Sequence, residues 1–263
     1  MKISENKIRE SFKNGELLSG LPIFIYDTIG STNTEAKLFA ASDSATRAVF
    51  IASEQTEGRG RRGRSFISGE GGVYMSLLVR PEGTAKDAVA LTAYTAVTVR
   101  EAIEKLTGLS PEIKWVNDLM FGGRKLAGIL TEGRVADGKE ELEYAVVGIG
   151  INVRGTALPS EISDIATTLE LSGAEVSLEA LIACVTELFY SNLDRVGTPT
   201  LAEEYRRHSA LIGKSVTVMK LSESYPAKVL GVTDRCELEL ELSDGSREIL
   251  ATGEVSVRIG EKE

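Results

Sequence analysis

Histidine is nearly missing from this chain. Its 263 residues include one histidine, His208, one tryptophan, Trp115, and two cysteines, Cys184 and Cys236. A multi-histidine metal centre is therefore excluded, and a Ser-His-Asp triad exists only if His208 serves it. The cysteines lie far apart and belong to no C-x-x-C pair, which points to a reducing compartment and argues against a structural zinc site. Long apolar runs are missing as well. The longest uncharged stretch in the middle, residues 88–99, falls short of the roughly 18 apolar residues a membrane span needs. The N-terminus, MKISENKIRESFKNGE, carries charge throughout and lacks the apolar core of a signal peptide. Positive charge is in deficit: 30 Lys+Arg against 39 Asp+Glu leave a net charge of −9, which counts against nucleic acid as the main partner. What is present is ordinary, with 42% hydrophobic and 26% charged residues and enough chain for one large domain, or a large one plus a small one. The composition describes a soluble, acidic, cytoplasmic protein without a membrane partner.

Patterning divides the chain near Leu211. Before that point the elements are mixed. Residues 23–26 are a strand-like apolar run, and Thr32 followed by Glu35 fits a capping box for a helix with Ala36, Phe39 and Ala40 on its apolar face. Residues 49–52 and 73–79 read as buried strands, and 87–106 as a long helix ending near Gly108. Gly122-Gly123 and Asp137-Gly138 stand between apolar runs, the signal for antiparallel hairpins. Residues 178–193 and 201–211 read as helices. From Gly213 onward apolar residues fall mostly two apart, as in Val216/Val218, Val229/Leu230/Val232, Leu238/Leu240/Leu242 and Val255/Val257/Ile259. That is the period of half-buried strands, and several short ones suggest a small barrel. The expected fold class is α+β: a short N-terminal segment over 1–20, a body over 21–211, and a small β domain over 212–263.

One segment breaks the acidic balance. Residues 58–64 read GRGRRGR, four arginines and three glycines in seven residues, and Gly69, Gly71 and Gly72 follow. Glycine lets backbone approach a ligand closely, and guanidinium offers a fork of donors matched to phosphate or carboxylate. Three readings compete: a solvated charged loop, a nucleic-acid patch, and a loop that wraps a phosphorylated small molecule. Glu54, Glu57 and Glu70 offset the four arginines, so residues 54–70 carry only +1, a weak field for DNA. Fixing ten or more such residues costs about 1–2 kcal/mol each, which no contact inside the loop offsets, so the loop is expected to stay mobile until a multiply charged ligand arrives. Two further stretches carry suitable groups. Lys125, just past the Gly122-Gly123 turn, can enter a pocket as a point charge, while Asn117 and Asp118 can bind Mg²⁺ or orient an amine. The alternative is a hairpin whose Lys and Asp face solvent. Gly148 and Gly150, in GIGINV, allow close backbone approach or mark a bulge.

In their order, Asp27-x-x-x-Ser31-Thr32-Asn33, Gln55-x-x-GRGRRGR, KWxNDL-x₅-KLAGIL and GIGINV resemble the biotin protein ligase family, also called biotin–[acetyl-CoA-carboxylase] ligase. The likeness runs from about residue 23 to 153, and Gly253-Glu254-Val255-Ser256 resembles the family's C-terminal domain. The resemblance implies a mixed β-sheet catalytic domain flanked by helices, with a small C-terminal SH3-like β-barrel. It implies that biotin and ATP are joined as biotinyl-5′-AMP with release of pyrophosphate. The biotinyl group would then pass to one lysine of a biotin carboxyl carrier protein, from acetyl-CoA carboxylase or another biotin-dependent carboxylase. Biotin falls to Ser31, Thr32, Asn33 and Gln55, and Arg59, Gly60 and Arg61 would close over biotin and the adenylate. Lys125 would lie near the biotin carboxylate and the α-phosphate, and Asp118 would assist the incoming lysine, so Lys125, Asp118 and Arg61 are the catalytic candidates. Arg59, Arg61, Arg62, Arg64, Asn117 and Asn152 are the nucleotide candidates. Mg²⁺ accompanies ATP, with no protein metal ligand assigned.

The physics suits these roles. Carboxylate and triphosphate repel until arginine, lysine and Mg²⁺ neutralise them, and in-line attack then needs positioning more than acid–base chemistry. Val116 stands where the family motif usually has proline, and Phe66 where tryptophan is common. Only about twenty residues precede the body, too few for the winged helix-turn-helix of family members that act as repressors, so a monofunctional form with no nucleic-acid partner is expected. A lipoate or octanoate ligase is the alternative, but it would want a long apolar slot and generally lacks GRGRRGR. Oligomeric state stays open, a homodimer included.

Overall fold

Strand β3 (Val73–Val79) is buried at all seven of its positions. A strand so apolar must be covered on both faces. The computed structural model describes residues 2–16, 18–81, 83–84, 88–155, 158, 160–220, 223–251 and 254–257. Asp87, Gly253 and Ile259, which the sequence reading placed in a helix and in the closing motif and strand, lie outside the described residues.

β3 sits inside a seven-stranded sheet with β1 (Ile23–Ile29), β2 (Arg47–Gln55), β4 (Glu112–Lys114), β5 (Asp118–Phe121), β6 (Arg124–Val135) and β7 (Leu142–Ile151). The strand order is β1-β2-β3-β7-β6-β5-β4. Only β1 and β2 run parallel, because helix α2 (Thr32–Ser42) carries the chain from the end of one to the start of the other. The rest are antiparallel. Gly122 and Gly123 both adopt positive φ, 57° and 75°, as a two-residue hairpin turn between β5 and β6 requires.

Alternation along the strands sorts the core. Val49, Ile51, Met75, Leu77, Val147 and Ile149 join the main buried cluster with residues of α3 (Ala88–Thr107) and α4 (Leu178–Ser191). Phe50, Leu78 and Val146 project to the opposite face and pack with Ala36 and Ala40 of α2. The N-terminal segment also belongs to the main cluster. Helix α1 (Glu5–Ser11) contacts α4, and Ile3, Ile8 and Leu18 are buried there. Helix α5 (Pro199–Arg207) starts two residues before the expected point, because Thr198 caps it and Pro199 occupies its first turn. Among the described residues no helix is long and apolar enough to cross a membrane.

After Leu211 the regular elements of the described residues are all strands, as the two-residue period implies. Strands β8 (Ser215–Met219), β9 (Ser224–Val232), β10 (Leu238–Leu242), β11 (Arg247–Leu250) and β12 (Glu254–Val257) pair antiparallel in the order β11-β10-β9-β8-β12. The expected barrel closure is corrected. Among the described residues β12 pairs with β8 and no ladder joins it to β11, so the sheet is open with those two four-residue strands at its edges. Val216, Val218, Leu238 and Leu240 share one continuous cluster with Ile113 and Trp115. The Trp115 indole N–H also donates to the Cys236 carbonyl at 2.8 Å. The joint between body and small sheet is therefore part of the core, beside the turn that carries Asn117 and Asp118. Removing the indole donor leaves the buried Cys236 carbonyl unpaired, so Trp115→Phe should lower unfolding stability by about 1–3 kcal/mol in urea titration.

Candidate active site

Leu78, Ser76 and Tyr74 occupy one face of β3, and their partners on β7 are Val146, Gly148 and Gly150. Helix α2 covers the first pair. Beyond its N-terminus the same face is floored by small residues, continued on β6 by Gly128, which pairs with Gly150. A cavity of about 230 Å³ opens there. The ladders of β3, β7 and β6 run through Gly148 and Gly150 without a register shift, so these glycines serve close approach and mark no bulge. A Cβ on Gly148 would lie 2.3 Å from Asn33 Oδ1, and one on Gly150 would lie 2.5 Å from the Phe66 ring.

The N-terminus of α2 forms the polar end of the cavity. Ser31 is its N-cap, with no side-chain capping bond, so the expected Thr32–Glu35 capping box is replaced. Gln55, at the end of β2, supplies the acceptor instead. Its Oε1 receives the Thr32 backbone N–H at 2.9 Å and the Thr32 hydroxyl at 3.1 Å. Gln55 Nε2 donates to Ser68 Oγ at 3.0 Å, and Ser68 Oγ donates to the Phe66 carbonyl at 2.9 Å. Ser76, fully buried, places its Oγ 2.7 Å from Thr32 Oγ1 and 2.6 Å from Asn33 Oδ1. Asn33 Nδ2 in turn donates to Glu132 Oε2 at 2.8 Å, and Lys37 Nζ contacts Glu132 Oε1 at 2.6 Å. Burial pushes the Glu132 carboxyl up, but the bonds from Lys37 and Asn33 and the charges of Lys37 and Arg59 bring it net below the ordinary range.

The arginine segment is a folded flap. Gln55 pairs with Ser68 and Arg59 with Ser65, the Phe66 N–H donates to the Gly58 carbonyl at 2.9 Å, and the Gly60 N–H donates to the Arg64 carbonyl at 2.6 Å. These bonds join the flap to itself and to the end of β2. Its tip, a 3₁₀ turn at Arg61–Gly63, puts Arg62 in the left-handed region with φ 54°. That conformation costs a non-glycine residue about 1–2 kcal/mol. The tip is also tethered at two points. Arg61 Nη1 donates to Asn117 Oδ1 at 3.3 Å, and Arg62 Nη1 donates to the Met219 carbonyl of β8 at 3.1 Å.

Lys125 enters the cavity. Its backbone is pinned by the Ile165 carbonyl and the Thr167 N–H, while Nζ lies 2.7 Å from Asp118 Oδ1 and 5.7 Å from the centre of the Phe66 ring. The solvent-facing hairpin is thereby set aside. Of the residues expected at the site, Ser31, Thr32, Asn33, Gln55, Arg59, Gly60, Arg61, Arg64, Asn117, Asp118 and Lys125 all line the cavity. Arg62 and Asn152 are not among the lining residues. Asn152 binds the Thr167 carbonyl at 3.1 Å and so shapes the segment that pins Lys125. His208 ends α5 and is also not among the lining residues, so chemistry here does not run through histidine. Sequence reasoning missed Ser68, Ser76, Glu132 and Met219. Ser76 had a signal, being the one hydroxyl among the apolar residues of 73–79 apart from Tyr74; Met219 had none, because β8 meets the cavity only through the tertiary fold.

The site thus combines a neutral hydrogen-bonding end, a cationic flap and a half-buried Lys–Asp pair, the arrangement of a ligase that activates a small carboxylic acid. Comparisons agree with that class. Residues 26–152 match the Biotin/lipoate A/B protein ligase family, and residues 211–258 match the Biotin protein ligase C terminal domain. The bifunctional ligase/repressor BirA of Bacillus subtilis is 31% identical over 256 residues, 94% of this chain and 77% of that protein. A biotin–[acetyl-CoA-carboxylase] ligase of Mycobacterium tuberculosis is 34% identical over 198 residues, 72% of this chain and 71% of that protein. The structure of a biotin protein ligase from Aquifex aeolicus in complex with biotin and ATP superposes with a TM-score of 0.76 at 26% identity, covering 91% of this chain and 99% of that one. The chain belongs to the biotin protein ligase family.

The glycine floor has a structural consequence. Gly150→Ala forces the Phe66 ring off its seat and should cost about 1–3 kcal/mol of stability. Gly69→Ala, with nothing within 4 Å of the new Cβ, should change it by less than about 0.5 kcal/mol. Parallel urea melts of the two variants check this.

Proposed function

We propose that this protein is a biotin protein ligase that makes biotinyl-5′-AMP from biotin and ATP and then biotinylates a lysine of a carrier domain. The observation that carries this reading is one cavity holding both Ser31-Thr32-Asn33 with Gln55 and the arginines of the flap, with Lys125 and Asp118 on the same floor. A cyclic urea needs acceptors for its two N–H groups and donors for its carbonyl. Asn33 Oδ1 has a lone pair to offer, and Gln55 Nε2 and Ser31 Oγ have protons. The carboxylate at the far end of biotin then meets Lys125. Arg59, Arg61 and Arg64 gather the phosphates, and Asn117 and Met219 border the nucleotide side.

In the first step a biotin carboxylate oxygen attacks the α-phosphorus; the new P–O bond forms as the bond to pyrophosphate breaks. Lys125 and the arginines offset charge that builds on the phosphoryl oxygens, the contribution that preorganised donors make to such displacements. In the second step a carrier lysine nitrogen attacks the carbonyl of the mixed anhydride and AMP leaves. Asp118 holds the incoming ammonium and takes up its proton. Among the described residues no cluster of three or more His, Cys, Asp or Glu side chains could hold a metal ion, and Asp118, the one carboxylate among the lining residues, is paired with Lys125. We therefore write Mg²⁺ as part of the MgATP substrate, held by phosphate oxygens. The acceptor is a biotin carboxyl carrier protein of a biotin-dependent carboxylase, and two buried free cysteines suit work in the cytoplasm.

The direct test incubates the protein with biotin, MgATP and a carrier domain; pyrophosphate release and a biotin-labelled carrier are expected. If lipoate is used and biotin is not, the apolar-slot alternative wins. Lys125→Ala should slow adenylate formation by about 2–4 kcal/mol of barrier in single-turnover assays. Arg61→Ala should instead form the adenylate and release it into solution faster than wild type, read by recovery of free biotinyl-AMP.

A further inference from the structure

A single chain of hydrogen bonds runs behind the polar end of the cavity, from Lys37 through Glu132, Asn33, Ser76, Thr32, Gln55 and Ser68 to the Phe66 carbonyl. Each member has limited options. Lys37 can only donate, and an ionised carboxylate or a carbonyl can only accept. The Asn33 carboxamide is the member whose direction matters most, because its two ends have nearly the same shape and opposite hydrogen-bonding character. Its Nδ2 faces two acceptors, Glu132 Oε2 at 2.8 Å and the Leu130 carbonyl at 3.3 Å. Its Oδ1 lies over Gly148, within 2.6 Å of Ser76 Oγ. Turning the amide over would aim its oxygen at a carboxylate. Glu132 itself is not among the residues lining the cavity. Lys37 holds its other oxygen, and the balance of these contacts keeps the carboxyl ionised.

We propose that Glu132 is a positioning residue that locks the Asn33 carboxamide with its oxygen toward the cavity, so that the site demands an N–H group from its ligand at that point. This rests on the biotin reading, in which the N–H is one of the two on the ureido ring, and it names what makes the polar end selective. A fatty or dithiolane acid has no N–H to offer and would leave the second lone pair of Asn33 Oδ1, beyond the one facing Ser76, and the second N–H of Gln55 Nε2, beyond the one given to Ser68, without a partner on burial. Rejection by unpaired buried polar groups is stronger than rejection by shape alone. The anchor is a carboxylate and Asn33 is neutral, so the arrangement spends its one negative charge behind the ligand, where it cannot repel the biotin carboxylate. Gly148 belongs to the same device, since any side chain there would meet Asn33 Oδ1.

The test is a swap of hydrogen-bonding character. In Glu132→Gln the new amide must keep its oxygen on Lys37 and turn its N–H to Asn33, which favours the turned-over carboxamide against the longer contact to the Leu130 carbonyl at 3.3 Å. The KM for biotin should rise at least about tenfold, a loss of roughly 1.4 kcal/mol. The kcat at saturating biotin should stay within about twofold, and the KM for ATP and the thermal midpoint should hold. The double variant Glu132→Gln/Asn33→Asp puts an acceptor at both ends of residue 33 and a donor at 132, with net charge unchanged. Its biotin KM should return most of the way to wild type. A KM for biotin unchanged in Glu132→Gln overturns the proposal, as does a double variant no better than the single one, or a loss spread equally over biotin, ATP and thermal stability. Wild-type protein is assayed first: if it binds no biotin by calorimetry, the functional reading falls and takes this one with it, whereas an active wild type with an indifferent Glu132→Gln sinks this inference alone.

Discussion

Where a β-sheet lacks side chains along a row, whatever covers it meets bare backbone. In this protein Gly148 and Gly150 of β7 and Gly128 of β6 remove the side chains from one patch of the sheet face. The surrounding structure follows from that gap. Helix α2 packs where Phe50, Leu78 and Val146 offer apolar surface, and it begins at Thr32, beside the glycine patch. Its N-terminus therefore opens onto the patch with Ser31, Thr32 and Asn33 in place, and Asn33 and Phe66 come within van der Waals reach of bare backbone. The flap from β2 to β3 roofs the same patch because both strands end at its border. One missing row of Cβ atoms sets cavity, helix end and roof together.

Charge is distributed by the same logic. The whole-chain value of −9 is an average over the surface and says nothing about this cleft. The flap brings arginines to it, β6 brings Lys125, and the acids nearby are each engaged: Asp118 with Lys125, Glu132 with Lys37 and Asn33. Fixed, paired charges in a partly closed site need little reorganisation when a multiply charged substrate arrives, and that is where electrostatic catalysis gets its advantage over water. In the proposed reaction a chain with one histidine lacks nothing, since positioned cations would carry the first step and a carboxylate, Asp118, would take the proton of the second.

Elements governed by local pattern were legible. The run 73–79 is a strand end to end, the glycine pair at 122–123 turns a hairpin, the long helix runs to the residue before Gly108, and no helix follows Gly213 among the described residues. Hydrophobic period and turn chemistry act over a few residues, so one sequence displays them in full. The errors lie where a distant group overrides a local rule. Thr32 and Glu35 look like a capping box, yet Gln55, twenty-three positions away, takes the Thr32 amide and hydroxyl. The glycine-rich flap gives no local sign that its tip is tied to Asn117 and Met219. The small domain read as a barrel because strand period does not reveal whether the first and last strands meet; β12 is taken by β8.

The sequence by itself determined the α+β class and the position of the change to all-β structure, because composition, period and motif order are properties of the chain. The tertiary structure alone decided that Ser76 and Glu132 stand behind Asn33, that Met219 of the small sheet receives Arg62, and that Arg62 and Asn152 support the cavity without lining it. The contacts of Ser76, Glu132 and Met219 join residues 43 to 157 positions apart. No local rule reaches that far, since such pairs meet only after strands have chosen their neighbours and register.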